Sequence, residues 1–125
     1  MNELVKLPGQ DKSISEIINS NIKEITEIVN AGNYEEQKIV ILSDLERINA
    51  FTSNSKQVLL MIDSGFASTL NKLVESTLND PDTSNINENL INNEMSLLKK
   101  ICDEIKDPNS PTLGVFFYFI FRKLS

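Results

Sequence analysis

The side chains of this sequence that could carry out acid–base or metal chemistry are mainly carboxylates, because the chain contains no histidine. The acidic pairs of most interest are Glu24 with Glu27, Glu35 with Glu36, and Asp103 with Glu104. Neighbouring carboxylates can bind a metal ion, but the di-iron sites of ferritin-like bundles combine Glu with a Glu-x-x-His pair. Histidine is also the commonest general acid and base. We therefore predict that these carboxylates are solvated surface groups and that they hold no metal ion.

The nucleophilic residues also lack the neighbours that catalysis requires. The serines, including Ser64 and Ser68, have no candidate base, which argues against a nucleophilic triad. Cys102 is the single cysteine, so an intrachain disulfide and a cysteine-based zinc or iron–sulfur site within one chain are excluded. The lysines before Cys102 are opposed by the acidic residues after it, so we expect a small buried side chain and not a reactive thiolate. The sequence predicts neither an enzyme nor a bound cofactor.

The composition is that of one globular domain. A chain of 125 residues is near the commonest domain size, and 40% hydrophobic with 24% charged residues is an ordinary balance for a folded protein. The net charge of −6 argues against nucleic acid as a partner, because phosphate binding requires clustered basic residues. Residues 1–4 lack the basic and apolar regions of a secretory signal, so we expect a cytoplasmic location.

One-sided apolar stripes predict the elements that must position these residues. The clearest stripe predicts a first helix, through Ile14, Ile17, Ile18, Ile22, Ile25 and Val29. Ser13 with Glu16 is a capping-box pattern, and Gly32 is a natural C′ residue. We therefore predict a flexible N-terminal arm over residues 1–12 and a single helical domain over residues 13–125.

Similar spacing predicts further helices downstream, over residues 33–51, 58–62, 66–78 and 85–107. Asn33 with Glu36 and Asn85 with Glu88 are start signals, and the turn at Gly65 separates two of the helices. Fifteen asparagines lower the helix propensity, so packing must hold these helices together. The predicted fold is all-α, an irregular bundle of five or six helices with an aromatic C-terminal helix.

The segment 112–123 is apolar on every side and contains five of the eight aromatic residues. A surface helix is not apolar all round, and this run is shorter than the ~20 residues that span a bilayer. Three interpretations are open: a central core helix, a helix that docks on another subunit or a partner protein, and insertion into a membrane interface with Arg122 and Lys123 near the headgroups. A β-strand is a fourth, because aromatic and branched residues favour strands. The candidate partner-binding residues are Leu113, Phe116, Phe117, Tyr118, Phe119 and Phe121.

Two stretches in the second half of the chain resemble a known family. Residues 62–76 join a short helix to an apolar helix through Ser64-Gly65, and residues 113–116 open an apolar segment that ends in basic residues. In this order, with an Asn-rich helix between them, they resemble a domain-of-unknown-function family of small helical proteins encoded beside formate dehydrogenase or sulfide:quinone oxidoreductase genes in bacteria and archaea. The resemblance implies a non-catalytic subunit that tethers a redox enzyme near the quinone pool. Any flavin, molybdenum or iron–sulfur centre would belong to the partner.

Two functional hypotheses follow. The first is a protein-binding accessory or scaffold subunit of a cytoplasmic oxidoreductase, in peripheral contact with the inner membrane face. The alternative is a self-associating helical regulatory protein, viral or plasmid-encoded, that dimerises through the aromatic helix and binds a host factor. The partner is expected to be a protein in both, with a homo-oligomer in the second.

Overall fold

A computed structural model of the chain describes residues 6–82 and 84–105, together with residues 109 and 114. Within this part of the chain the regular structure is α-helical, and the all-α prediction is confirmed there. The five helices are α1 (Lys6–Asn30), α2 (Lys38–Ala50), α3 (Ser55–Asp63), α4 (Phe66–Leu78) and α5 (Asn85–Ile105). The predicted aromatic helix and the predicted stop of the last described helix at residues 107–108 lie outside the described residues.

The start of α1 differs from the prediction. The helix begins at Lys6, seven residues before the start that the capping-box pattern predicts at Ser13. Pro8 does not prevent this, because a proline in the first turn of a helix lacks only an N–H group that has no partner within the helix. The flexibility that we predict for residues 1–12 concerns motion and stays a prediction.

Two glycines end helices as the sequence predicts. Gly32 has a φ of +74° and follows α1, where its N–H donates to Val29 O at 3.1 Å and that of Asn33 donates to Ile28 O at 3.0 Å. This pair of hydrogen bonds is a Schellman motif. Gly65 has a φ of +83° and lies between α3 and α4. Both residues adopt the left-handed conformation that glycine tolerates best.

The start of α2 is also later than predicted. Asn33 begins a single helical turn, in which Gln37 N donates to Asn33 O at 3.1 Å, but α2 itself begins at Lys38. The intervening connection, residues 31–37, brings Tyr34 inward as a buried side chain. Burial of this ring favours the turn at residues 34–37 over a helix that continues from Asn33.

The described helices enclose one hydrophobic core. α2, α3 and α4 each pack against both α1 and α5, which are the two longest helices. The fully buried side chains come from every helix and include Ile18, Ile41, Met61, Phe66 and Leu97. Their burial from water supplies the main driving force for packing.

Hydrogen bonds between polar side chains join α2 to α5, and asparagines take part in them. Asn49 Nδ2 donates to Asn93 Oδ1 at 2.8 Å, and Ser96 Oγ donates to Asn49 Oδ1 at 2.9 Å. Lys100 Nζ donates to Asn49 O at 3.0 Å and to Thr52 Oγ1 at 3.1 Å, so it caps the C-terminal end of α2. Burial lowers the pKa of Lys100.

Candidate functional site

The carboxylate pairs that the sequence singles out lie mostly in solvent. The exposed members are Glu24, Glu27, Glu35, Glu36 and Asp103, for which the prediction of solvated surface groups is confirmed. The sixth member, Glu104, is half-buried and accepts a hydrogen bond from Ser55 Oγ at 2.9 Å. It therefore helps to hold α5 against the start of α3.

Cys102 is half-buried and is not activated by its surroundings. Burial, with a contribution from the charge of Asp103, raises the pKa of the thiol. A reactive cysteine requires the opposite shift. The structure therefore favours the interpretation of Cys102 as a packing residue, although it is less buried than the sequence predicts.

Two buried carboxyl groups were missed by the sequence prediction. Glu94 on α5 is 0% exposed and Asp44 on α2 is 1% exposed. Each lies on the apolar stripe of its helix, Glu94 one turn from Leu90 and Leu98 and Asp44 one turn from Ile48. Their place in the stripes is the signal that could have found them, because a carboxylate at an apolar position must be neutralised or paired.

The Glu94 carboxyl group is bound through one oxygen only. Its Oε2 lies 2.7 Å from Thr77 Oγ1, and its Oε1 accepts no hydrogen bond from any residue that the structure describes. Burial raises the pKa of Glu94 well above its ordinary value, and the hydrogen bond with Thr77 opposes this shift only partly. A neutral carboxylic acid is therefore favoured at this position.

Tyr34 connects this buried acid to a group of charges nearer the surface. Its hydroxyl lies 3.4 Å from Thr77 Oγ1 and donates to Asp80 Oδ2 at 3.2 Å. Burial, together with the charges of Asp80 and Glu94, raises the pKa of Tyr34 to about 12, against the effect of the Thr77 hydrogen bond. The tyrosine therefore remains a hydrogen-bond donor at neutral pH.

Lys38 neutralises the outer end of this group. Its Nζ is 2.6 Å from Asp80 Oδ2 and 3.4 Å from Asp82 Oδ2, and it lies 5.6 Å from the centroid of the Tyr34 ring. The hydrogen bond to Asp80 raises the pKa of Lys38. Burial opposes a charged Asp80, but the bonds from Lys38, from the Asp82 backbone and from Tyr34 together lower its pKa. We call Tyr34, Lys38, Thr77, Asp80 and Glu94 the Glu94 cluster.

Asp44 has a different environment between α1 and α2. Burial, and then the neighbouring Glu24 carboxyl group, raises the pKa of Asp44 to about 7, and the charge of Arg47 opposes this. Arg47 Nη1 donates to Asp44 Oδ1 at 3.3 Å and to Asn21 Oδ1 at 3.4 Å. Arg47 therefore pairs with one oxygen of Asp44, while the other oxygen, Oδ2, has no hydrogen-bond partner among the described residues. We call these four residues the Asp44 cluster.

Comparison of the chain with protein-family models, with curated proteins and with solved structures finds no match. The resemblance of the second half to the oxidoreductase-linked family is therefore a prediction without support from these comparisons. The candidate partner-binding residues Leu113, Phe116, Phe117, Tyr118, Phe119 and Phe121 lie outside the described residues.

The described surface has shallow hollows between its helices, and no cluster of metal ligands lies among the described residues. One hollow, of about 470 Å³, lies between α1 and α2 and is lined by Glu16, Ile17, Ser20, Asn21 and Arg47. Another, of about 250 Å³, lies between α1 and α3. No group of three or more acidic or cysteine side chains in the described ranges is arranged to hold a metal ion. None of the helices in these ranges has the length and apolarity needed to cross a bilayer.

Proposed function

We propose that this protein is a non-catalytic, protein-binding accessory or scaffold subunit whose docking element is an aromatic sixth helix over residues 113–121. The observation that carries the proposal is the aromatic segment itself, which is apolar on every side. In a protein–protein interface, Phe and Tyr side chains act as anchors that supply most of the binding energy. An irregular helical bundle with this helix at its C-terminal end would present such anchors together.

The five described helices share one hydrophobic core. Its buried apolar residues run from Ile18 to Ile101 and form one cluster, with contributions from α1, α2, α3, α4 and α5. These five helices therefore provide packing partners for one another. An additional segment with five aromatic side chains carries more apolar area than a polar surface accommodates without a partner.

The identity of the partner follows from the family resemblance of the second half of the chain. On that basis the partner is a quinone-linked oxidoreductase in the cytoplasm, with peripheral contact to the inner membrane face. The redox centres would belong to the oxidoreductase, and the present chain would contribute position and affinity. The partner is assigned by analogy of sequence, and its recovery with the tagged chain tests the assignment.

The test is affinity purification of the tagged protein from its native cells, with identification of what is recovered and a visible absorption spectrum. Phe117→Asp and Phe119→Asp are the test variants. Ile39→Asp is the matched control, because Ile39 is an apolar residue of α2 that is 67% exposed. We expect the wild-type chain and the control to recover a coloured oxidoreductase, and the two test variants to fold but recover none.

Other outcomes would contradict the proposal. If the test variants lose their helical circular dichroism while the control keeps it, the aromatic helix belongs to the core. If the wild-type chain is recovered only as a homodimer, the self-associating regulatory protein becomes the better description. If no variant changes folding or association, the aromatic helix is not a docking element.

A further inference from the structure

The Glu94 cluster joins three parts of the fold that are distant in the sequence. Glu94 lies on α5, Thr77 on α4, and Tyr34 in the connection between α1 and α2. We propose that Glu94 keeps its proton at neutral pH and that the loss of this proton loosens the junction of α4, α5 and the α1–α2 connection. The cluster would then act as a latch that responds to pH.

A proton on Glu94 is compatible with the contacts that the Thr77 hydroxyl makes with both Leu73 and Glu94. Thr77 has one hydroxyl proton but three close oxygen neighbours: Leu73 O at 3.0 Å, Glu94 Oε2 at 2.7 Å and Tyr34 Oη at 3.4 Å. If Thr77 donates to Leu73 O, the contact with Glu94 can be a hydrogen bond only when Glu94 is the donor. Tyr34 then donates to Asp80, and each proton has an acceptor.

Among the described residues, no unpaired cation lies beside Glu94 to compensate its ionised form. Of the elements packed against α5, α2 contributes Lys38 to this cluster, and its ammonium group is already paired with Asp80 at 2.6 Å. On α5 itself, Lys100 binds Asn49 and Thr52. The charged residues of α3 and α4 are exposed, namely Lys56 and Asp63 on α3 and Lys72 and Glu75 on α4.

The Tyr34 hydroxyl does not compensate an ionised Glu94, because it donates to Asp80 Oδ2 at 3.2 Å. Thr77 would have to abandon the Leu73 carbonyl in order to donate to an ionised Glu94. A buried charge with one neutral donor is a costly arrangement, so opening of the junction is the expected response.

The direction of the pH dependence follows from proton linkage. The ordinary pKa of glutamate is 4.5, and the folded protein holds the Glu94 proton more tightly than the unfolded chain does. The contribution of Glu94 to stability is therefore complete below the ordinary value and is lost as pH rises through the folded pKa. In that interval the folding equilibrium constant should fall by up to about tenfold per pH unit.

The first experiment compares the urea unfolding of the wild-type chain, Glu94→Gln and the matched control Glu88→Gln from acidic to alkaline pH. Glutamine keeps the shape and can donate to Thr77, but it cannot ionise. Glu88 is an exposed residue in the first turn of the same helix. We expect the ratio of the folding constants of wild type and Glu94→Gln to fall with increasing pH, while the ratio for Glu88→Gln does not show this fall. Equal pH profiles for all three proteins would overturn the proposal.

The second experiment uses the wild-type protein alone and does not depend on how Glu94→Gln folds. Carbon-13 NMR of the glutamate side chains gives the protonation state of Glu94 directly, and amide hydrogen exchange reports opening of residues 31–37. We expect a carboxyl resonance that stays protonated at neutral pH and exchange of these residues that accelerates when it titrates. A Glu94 resonance that titrates near its ordinary pKa in the folded protein would refute the latch.

Discussion

The Glu94 cluster and the Asp44 cluster each contain a buried carboxyl group, but the neighbours of these two groups differ. Both place a carboxyl group on the apolar stripe of a helix, and both carboxyl groups are at most 1% exposed. Glu94 has one hydroxyl group beside it, and Lys38, the cation of its cluster, is paired with Asp80. Asp44 has a second carboxyl group, Glu24, on one side and a guanidinium group on the other.

The difference shows that burial alone does not decide how a carboxyl group behaves. In both clusters desolvation is the largest cause of the raised pKa. At Asp44 the shift is increased by Glu24 and limited by Arg47, so the pKa reaches about 7. At Glu94 the hydrogen bond with Thr77 opposes desolvation, and no cation among the described residues adds to that opposition. The neighbours of each carboxyl group therefore act on its pKa together with burial.

The largest loss of stability is expected from a substitution that removes the positive charge of Lys38 from the Glu94 cluster. Lys38→Met keeps the apolar stem but leaves Asp80, whose side chain is 3% exposed, without its ion pair. Removing one partner of a buried pair leaves an uncompensated charge, so we expect a loss of about 3 kcal/mol in unfolding free energy. Urea denaturation at neutral pH measures this loss.

Lys99→Met is the matched control for that substitution. Lys99 pairs with Asp103 at 2.9 Å, but both side chains are 67% exposed and solvent screens their attraction. We expect no resolvable change in its urea midpoint. Equal losses for the two variants would mean that the Lys38 pair behaves as an ordinary surface ion pair.

A smaller loss of stability is expected when the hydroxyl group beside Glu94 is removed. Thr77→Val conserves the shape of a fully buried residue but leaves the carboxyl group without its donor or acceptor, so we expect a loss of about 2 kcal/mol. Thr69→Val on the same helix is the control, because the Thr69 hydroxyl shares a hydrogen bond with that of Thr26 at 3.1 Å and its loss should cost about 1 kcal/mol. Thermal or urea unfolding of both variants checks the order. A smaller loss for Thr77→Val than for Thr69→Val would show that the Glu94 contact contributes little.

The smallest expected effect is on the pH dependence of stability that Asp44 causes. Since the folded pKa of Asp44, about 7, lies above its ordinary value of 3.8, its stabilising contribution is complete below 3.8 and is lost as pH rises through about 7. Glu24→Gln should lower this pKa and so reduce a slope that reaches at most about 1.4 kcal/mol per pH unit. Glu27→Gln, which changes an exposed residue one turn away, should leave the slope unchanged. The slope is obtained from urea midpoints at several acidic and neutral pH values.

Much of the helical framework could be predicted from the sequence, because its signals are local. The stripe from Ile14 to Val29, the turns at Gly32 and Gly65, and the start of α5 at Asn85 all agree with the structure. The predicted starts of α1, α2 and α3 were wrong, and α3 begins at Ser55 instead of residue 58. Capping patterns do not indicate that a helix continues through Pro8 in its first turn, or that the turn after Asn33 buries Tyr34.

The buried acids could not be recognised from residue type, because a carboxylate is usually a surface group. Five of the six paired carboxylates that the sequence emphasised are exposed, whereas the isolated Asp44 and Glu94 are buried. Their helical positions contained a signal, since each replaces an apolar residue in a stripe. No local signal in the sequence identifies their partners. Thr77 is 17 residues from Glu94 and is brought to it by the packing of α4 on α5.

By itself the sequence determined the helical class, most of the helix ends and the concentration of aromatic residues near its C-terminal end. These follow from periodicity and composition, which act over a few residues. Only the tertiary structure decided that Tyr34, Thr77, Asp80 and Glu94 form one cluster and that Glu24 meets Asp44. The physical reason is that a pKa depends on solvent exclusion and on neighbours in space, and both arise only when helices distant in the sequence pack together.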